Sequence, residues 1–227
     1  MKVRTLVILV ASLCVAADAS EKDVNKDLEK AVKKTTAVKS YTFTITTQPG
    51  QGARNGVEGK YQKGQPVFFR ADRIAFYKKG AALAYEQGGQ WHKSKTGIQS
   101  DPLLILAAVA KVRKARLPHE ELATLAKSLK GVKKAKGESG STVYTGGLTD
   151  AGVKKLAPSE FVNVAKSGTA KLWVNAKGLV VKYTIAVELE GRQGNAEVKG
   201  SAGKTVTLGE LGSAKVEVPA GAKKALK

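Results

Sequence analysis

The sequence predicts an α+β fold in which helices pack on an antiparallel sheet. Three observations carry this. Runs of period-two alternation, separated by glycine-containing turns, fill the first and last thirds of the chain. A proline-initiated apolar helix and a second, amphipathic one interrupt them. An amphipathic helix with a lysine-rich outer face precedes the first strand. With 227 residues, 42% of them hydrophobic, the chain is long enough to bury a core, and general disorder is excluded.

Residues 1–19 read as a secretory signal peptide. Lys2 and Arg4 supply the positive start, Leu6 to Ala17 is uncharged and apolar, and Ala17-Asp18-Ala19 offers a small-x-small cleavage site. A membrane anchor is the alternative, but the twelve apolar residues span only about 18 Å as a helix, against a hydrocarbon core of about 30 Å. Lipidation at Cys14 is the weaker alternative, because the residue before it is Leu13 rather than a small one. Cleavage after Ala19 leaves residues 20–227 as one domain without cysteine, so its stability rests on packing and hydrogen bonds.

Ser20-Glu-Lys-Asp23 resembles a capping box, and Val24, Leu28, Ala31, Thr35 and Val38 form the buried stripe of the helix it opens. From Tyr41 the period changes to two, with Tyr41, Phe43 and Ile45 alternating with threonines. Pro49 to Gly56 marks a turn or loop. Strands follow at Val57–Lys63, Val67–Arg70, Arg73–Lys78, Ala82–Glu86 and Gln90–Lys93, an antiparallel meander.

Asp101-Pro102 caps a helix that is apolar almost all round from Leu103 to Val112, and burial on most sides is expected. A second helix starts near Pro118 with Leu122, Leu125 and Leu129 on one face, and with Lys127, Lys130, Lys133 and Lys134 at its far end. Val132–Ala135 and Thr142–Thr145 then pair across Gly137–Gly140, and a short helix covers Asp150 to Leu156. Ala170–Asn175 and Leu179–Glu190 form a hairpin whose second arm turns Val181, Tyr183, Ile185, Val187 and Leu189 one way and polar residues the other. Two further strands, near Ala196–Lys199 and Thr205–Leu208, precede Ala214–Val218 and Pro219, and no repeat or internal linker divides the chain.

The residues argue against catalysis. One cysteine and two histidines hold neither a disulfide framework nor a zinc cluster. No serine lies in a G-x-S-x-G elbow, and His92 and His119 are read as structural or solvated. Gly203-Lys204-Thr205 imitates the end of a phosphate-binding loop, but the first glycine that motif needs is Val198. A non-catalytic protein without cofactor or metal is expected.

The formal charge is +20, and such a balance raises nucleic acid as a partner. Export, the spread of lysines over nearly every segment and the scarcity of arginine argue against it. A solvated lysine coat is one reading. Transient attraction to an anionic membrane surface or wall polymer is the other, at about 1 kcal/mol per lysine.

Three stretches together resemble a known family. They are Tyr41-Thr-Phe-Thr leading to Gly59-Lys-Tyr-Gln-Lys-Gly-Gln-Pro66 with Arg70 beyond; Gln90-Trp91 followed by Asp101-Pro-Leu-Leu-Ile-Leu-Ala107; and Leu211-Gly-Ser-Ala-Lys-Val-Glu-Val-Pro219. In this order they resemble the bacterial periplasmic lipoprotein carrier of the LolA type and its LppX-like lipid-binding relatives. The resemblance implies an incomplete antiparallel β-barrel, a half-barrel, closed by helices over a hydrophobic cavity that holds acyl chains. Inward-facing candidates for that cavity are Tyr41, Phe43, Ile45, Tyr61, Phe69, Phe76, Leu83, Leu103, Leu104, Val181, Tyr183, Ile185 and Val187. The same side chains could equally fill a solid core.

One departure matters. The carrier family has an arginine just before the strand proline that helps hold its closed state, whereas here Gln65 precedes Pro66. Arg70 and Arg73 are the nearby cations. The function expected is a monomeric periplasmic or cell-envelope carrier binding the acyl chains of lipids or lipoproteins. Its rival is a basic envelope interaction protein with a filled core, docking anionic polymer, membrane surface or a protein partner.

Overall fold

A computed structural model describes residues 21–48, 56–94, 103–158 and 161–227. The expected signal peptide with Cys14, the Pro49–Gly56 loop up to residue 55, and the Asp101-Pro102 cap lie outside the described residues.

The helix α1 (Glu21–Thr36) buries Val24, Leu28, Ala31, Val32 and Thr35. Its final buried residue docks it. Thr35 Oγ1 donates to the Ala31 carbonyl at 2.8 Å and accepts from the Val180 amide at 2.8 Å. The strands are β1 (Ser40–Gln48), β2 (Gly56–Gln62), β3 (Val67–Ala71), β4 (Ile74–Lys79), β5 (Ala82–Gln87) and β6 (Gln90–Lys93), then β7 (Leu129–Lys136), β8 (Thr142–Leu148), β9 (Ala165–Val174), β10 (Val180–Gln193) and β11 (Ala196–Gly209). Helices α2 (Leu103–Lys114), α3 (Pro118–Ser128), α4 (Asp150–Leu156) and α5 (Ala220–Ala225) complete the chain.

All eleven strands join one open antiparallel sheet in the order β6-β5-β4-β3-β2-β1-β11-β10-β9-β8-β7. Two meanders are thus zipped together through β1 and β11, and β6 and β7 remain edges. It is the half-barrel expected, not a closed barrel. One face carries the main core, roofed by α1, α2, α3 and α4. The opposite face of β3 to β6 is covered by the chain's own C-terminal segment. There Tyr77, Val216 and Ala222 are buried with Phe68, Trp91, Val218 and Leu226 beside them.

Three local expectations are corrected. Lys130, Lys133 and Lys134 lie on β7, not on a helix end, because α3 stops at Ser128. Lysines suit an edge strand, whose unpaired backbone must be kept from pairing with other chains. The separate strands at Ala196–Lys199 and Thr205–Leu208 are one strand, β11, carried through Gly200 and Gly203. Gly203 passes so close to β10 that a Cβ there would sit 2.8 Å from the Ile185 carbonyl oxygen. Ala214–Val218 joins no ladder; it is an irregular strap. The Val216 amide donates to Gln62 Oε1 at 2.8 Å, and the Tyr77 hydroxyl donates to the Glu217 carbonyl. Finally, among its described side chains α2 buries a stripe, Ile105, Ala108, Val109 and Val112, and leaves Ala107 and Ala110 exposed.

Candidate functional site

The sheet register aligns the inner side chains into apolar rows. One row runs Tyr85, Phe76, Phe69, Gly59, Phe43, Leu208 across β5 to β11. The next runs Ala71, Val57, Ile45, Val206, Tyr183, Leu172, Tyr144 from β3 to β8. Directly opposed residues of an antiparallel pair share a face, so each row is a continuous strip. Gly59 has a steric reason. The Phe43 ring lies over it, and a Cβ at Gly59 would fall 2.2 Å from Phe43 Cζ and 2.7 Å from the Phe68 carbonyl oxygen.

The structure gathers most of the sequence candidates here. Tyr41, Phe43, Phe69, Phe76, Leu83, Tyr183, Ile185 and Val187 are buried in the main core, with Ile45 and Tyr61 partly buried against it. Leu103 and Leu104 belong to the first turn of α2, and their side chains lie outside what is described. Val181 is corrected. The β9–β10 register shifts between Val180 and Lys182, a bulge that inserts one residue. Val180 therefore takes the core position, fully buried, and Val181 is only half-buried and outside the core.

A short polar row crosses this apolar layer beneath α3. Glu121 is 2% exposed. Its Oε1 accepts from the Tyr183 hydroxyl at 2.9 Å, and its Oε2 pairs with Lys204 Nζ. Lys204 stands opposite Ile185 on β11, hence on the inner face. Two residues earlier on α3, His119 Nδ1 meets the Tyr41 hydroxyl at 2.6 Å, and Tyr61 stacks on Tyr41 at 5.0 Å between ring centroids. Burial raises the Tyr41 phenol far above its ordinary value, opposed by a hydrogen bond from the His119 backbone. Burial lowers the His119 imidazole, against a smaller upward pull from Glu120. Burial thus favours the protonated phenol and the neutral imidazole, the two forms that share one hydrogen bond. Burial, reinforced by the Glu121 carboxylate, also pushes the Tyr183 phenol well up.

These contacts clasp α3 to the sheet through both its polar and its apolar side. Sequence reasoning placed His119 as structural and missed Glu121 and Lys204 altogether. One signal was present: Glu121 falls within the Pro118, Leu122, Leu125 stripe, where an acid needs a partner. His92 stacks on Tyr85 at 5.5 Å at the β6 edge, remote in register from the clasp. Gln65 is exposed in the β2–β3 turn, and Arg70 and Arg73 are exposed too. No group of acids, histidines and cysteines able to hold a metal occurs among the described residues. Nor is any helix among them long and apolar enough to cross a membrane.

Compared by sequence, the chain matches no protein-family model and no curated protein. Compared by structure, it shares the fold of the Mycobacterium tuberculosis lipoprotein LppX, with a TM-score of 0.55 at 12% identity, over 88% of this chain and 100% of that one. LprF from Mycobacterium bovis gives a TM-score of 0.55 at 11% identity, over 89% of this chain and 97% of that one. The half-barrel is therefore the LppX-like fold.

Proposed function

We propose that this LppX-like half-barrel is an exported, non-catalytic carrier. It binds the acyl chains of a lipid or lipoprotein between the inner sheet face and the helix layer. The observation that carries this reading is the pair of apolar cross-strand rows, each spanning six or seven strands beneath the helix layer. A sheet that only needed a core could close on itself; an open one leaves its inner face to whatever the helices cover.

Several inner side chains, Phe69, Phe76 and Tyr183 among them, are packed against neighbours with 1% exposure or less. Cargo must then enter by displacing part of the helix layer. Each methylene it buries contributes about 0.8 kcal/mol. Undocking α3 exposes Leu122 and Leu125, both fully buried, at about 1.5–3 kcal/mol each. A chain of sixteen or so carbons outweighs that cost by roughly 6 kcal/mol or more.

Native mass spectrometry of the chain expressed with its own leader, and purified gently from the envelope fraction, tests the reading. The expected mass is that of residues 20–227 plus a lipid-sized adduct lost on denaturation. An apo mass that takes up neither added fatty acid nor phospholipid overturns the carrier and leaves the filled-core interaction protein.

A further inference from the structure

Helices α3 and α4 present a second concavity on the side facing away from the sheet. It is a cleft of about 480 Å³. That volume lies within the range of small-molecule sites, about 300–1,000 Å³. Its polar lining consists of three cations, Arg116, Lys127 and Lys155, and three hydroxyl residues, Thr124, Ser128 and Thr149, with no carboxylate. The cations come from three places in the chain: the segment before α3, the last turn of α3 and the last turn of α4.

Position at helix C-termini accounts for part of this charge, but not all of it. Two helix ends contribute roughly half a negative charge each, which offsets about one of the three cations. None of the three pairs with a carboxylate among the described residues. The acids nearest in sequence lie elsewhere. Glu120 is close enough to Lys78 and His119 to oppose the lowering that burial imposes on both, and Asp150 is exposed and outside the lining. Arg116 is also held in place, because its guanidinium donates to the Lys155 backbone carbonyl and still has unused N–H donors. An immobilised guanidinium flanked by two ammonium groups in a shallow recess is the chemistry that binds phosphate.

We infer that the α3–α4 cleft is a phosphate-binding site, filled by the phosphodiester of a phospholipid headgroup or by a free phosphate group. The site lies on the outer side of the helices that roof the apolar rows and does not depend on the carrier reading. Loss of acyl-chain binding would leave it intact.

The test uses the mature chain, a Lys127→Gln/Lys155→Gln variant, and a Lys60→Gln/Lys171→Gln control that removes the same charge from exposed strand positions. Arg116 is left in place because it bridges to α4. The probes are inorganic phosphate, followed by amide chemical shifts, and sedimentation with vesicles of phosphatidylcholine alone or with one third phosphatidylglycerol. Binding is expected to fall about thirtyfold in the cleft variant, from about fivefold per charge, and to stay near the native value in the control. Shifts centred on Lys127 and Thr149 with phosphate identify a soluble ligand. Binding only to the anionic vesicles identifies a headgroup. Equal loss in both variants, or no binding to either probe, overturns the inference.

Discussion

Replacing Tyr183 by Phe removes a single oxygen from the centre of the clasp and leaves the ring packing intact. That hydroxyl is wholly buried and donates to Glu121 Oε1 at 2.9 Å. A hydrogen bond to a charged group contributes about 1.5–3 kcal/mol, and a neutral one about 0.5–1.5. Tyr183→Phe should therefore cost about 1.5–3 kcal/mol, lowering the melting midpoint by roughly 2–4 °C per kcal/mol in a chain this long. Glu121→Gln keeps the shape but ends the charge, freeing Lys204, whose side chain is 23% exposed and can turn to water. In the double variant the neutral bond is all that Tyr183→Phe can still remove, so the two substitutions should couple by about 1 kcal/mol. Urea unfolding at pH 7, with an unchanged denaturant slope, measures all four corners of the cycle. Additivity within about 0.3 kcal/mol would refute the buried charged bond. The same cycle also reports on entry. If α3 opens to admit cargo, Tyr183→Phe should speed uptake of a fluorescent fatty acid by about tenfold or more, since each 1.4 kcal/mol is a factor of ten. Unchanged uptake with reduced stability would place the entrance elsewhere.

Other expectations follow from single contacts. Gly59→Val drives a side chain into Phe43 and the Phe68 carbonyl, and should destabilise by about 1–3 kcal/mol in urea melts, whereas a bulky residue tolerated there would deny the ring-over-glycine packing. Val180→Ala should cost roughly 2 kcal/mol and Val181→Ala less than about 0.5, a contrast that vanishes if the β10 bulge is misplaced. His119 is depressed by burial, so the unfolded chain takes up protons first on acidification; stability present above the unfolded value near pH 6.5 is lost as pH falls through the folded one. Thermal midpoints recorded from pH 7.5 to 5 should thus drop more for the native chain than for His119→Gln, and parallel curves would count against the burial of the His119 ring.

Much of this architecture can be read from residue spacing. The α1 stripe follows directly from apolar residues three and four apart, and the strands from alternation bounded by glycine. Spacing fails where one residue breaks the period. The bulge at Val181 leaves no mark in a run of β-branched residues, because Val180 and Val181 are chemically identical. The Ala214–Val218 strap alternates like a strand, yet it satisfies its backbone on the Gln62 side chain rather than in a ladder. The six residues of α5 are too few to show a period and too few to be stable alone. Glu121 was hidden for another reason. Acids are ordinary in a first helical turn, and only the approach of β10 and β11, some sixty and eighty residues later, makes this one a buried group.

The distribution of cover over the sheet limits where the molecule can open. Strands β3 to β6 are sandwiched, with the main core on one side and the C-terminal strap and α5 on the other. Lys111 adds a tie there, donating to both carboxylate oxygens of Asp72 at 2.8 and 2.6 Å and so pinning α2 to the β3–β4 turn. Strands β8 to β10 have a wet outer face instead, where Lys182 lies 4.8 Å above the Trp173 ring. On that half the inner roof is α1, α3 and α4, and α1 is fixed through Thr35 and by the Lys134–Asp27 pair at 2.6 Å. Helix α3 is anchored to the sheet through two polar side chains, Glu121 and His119. Resemblance to the lipoprotein carrier directs attention to the residue before the strand proline, but Gln65 is exposed in a turn and touches none of this. A cation that does reach α3 is Lys204, on the central strand β11. The Lys204–Glu121 pair ties α3 to the middle of the sheet rather than to its meander edge, so a displacement of β11 would reach α3 without first disturbing α2.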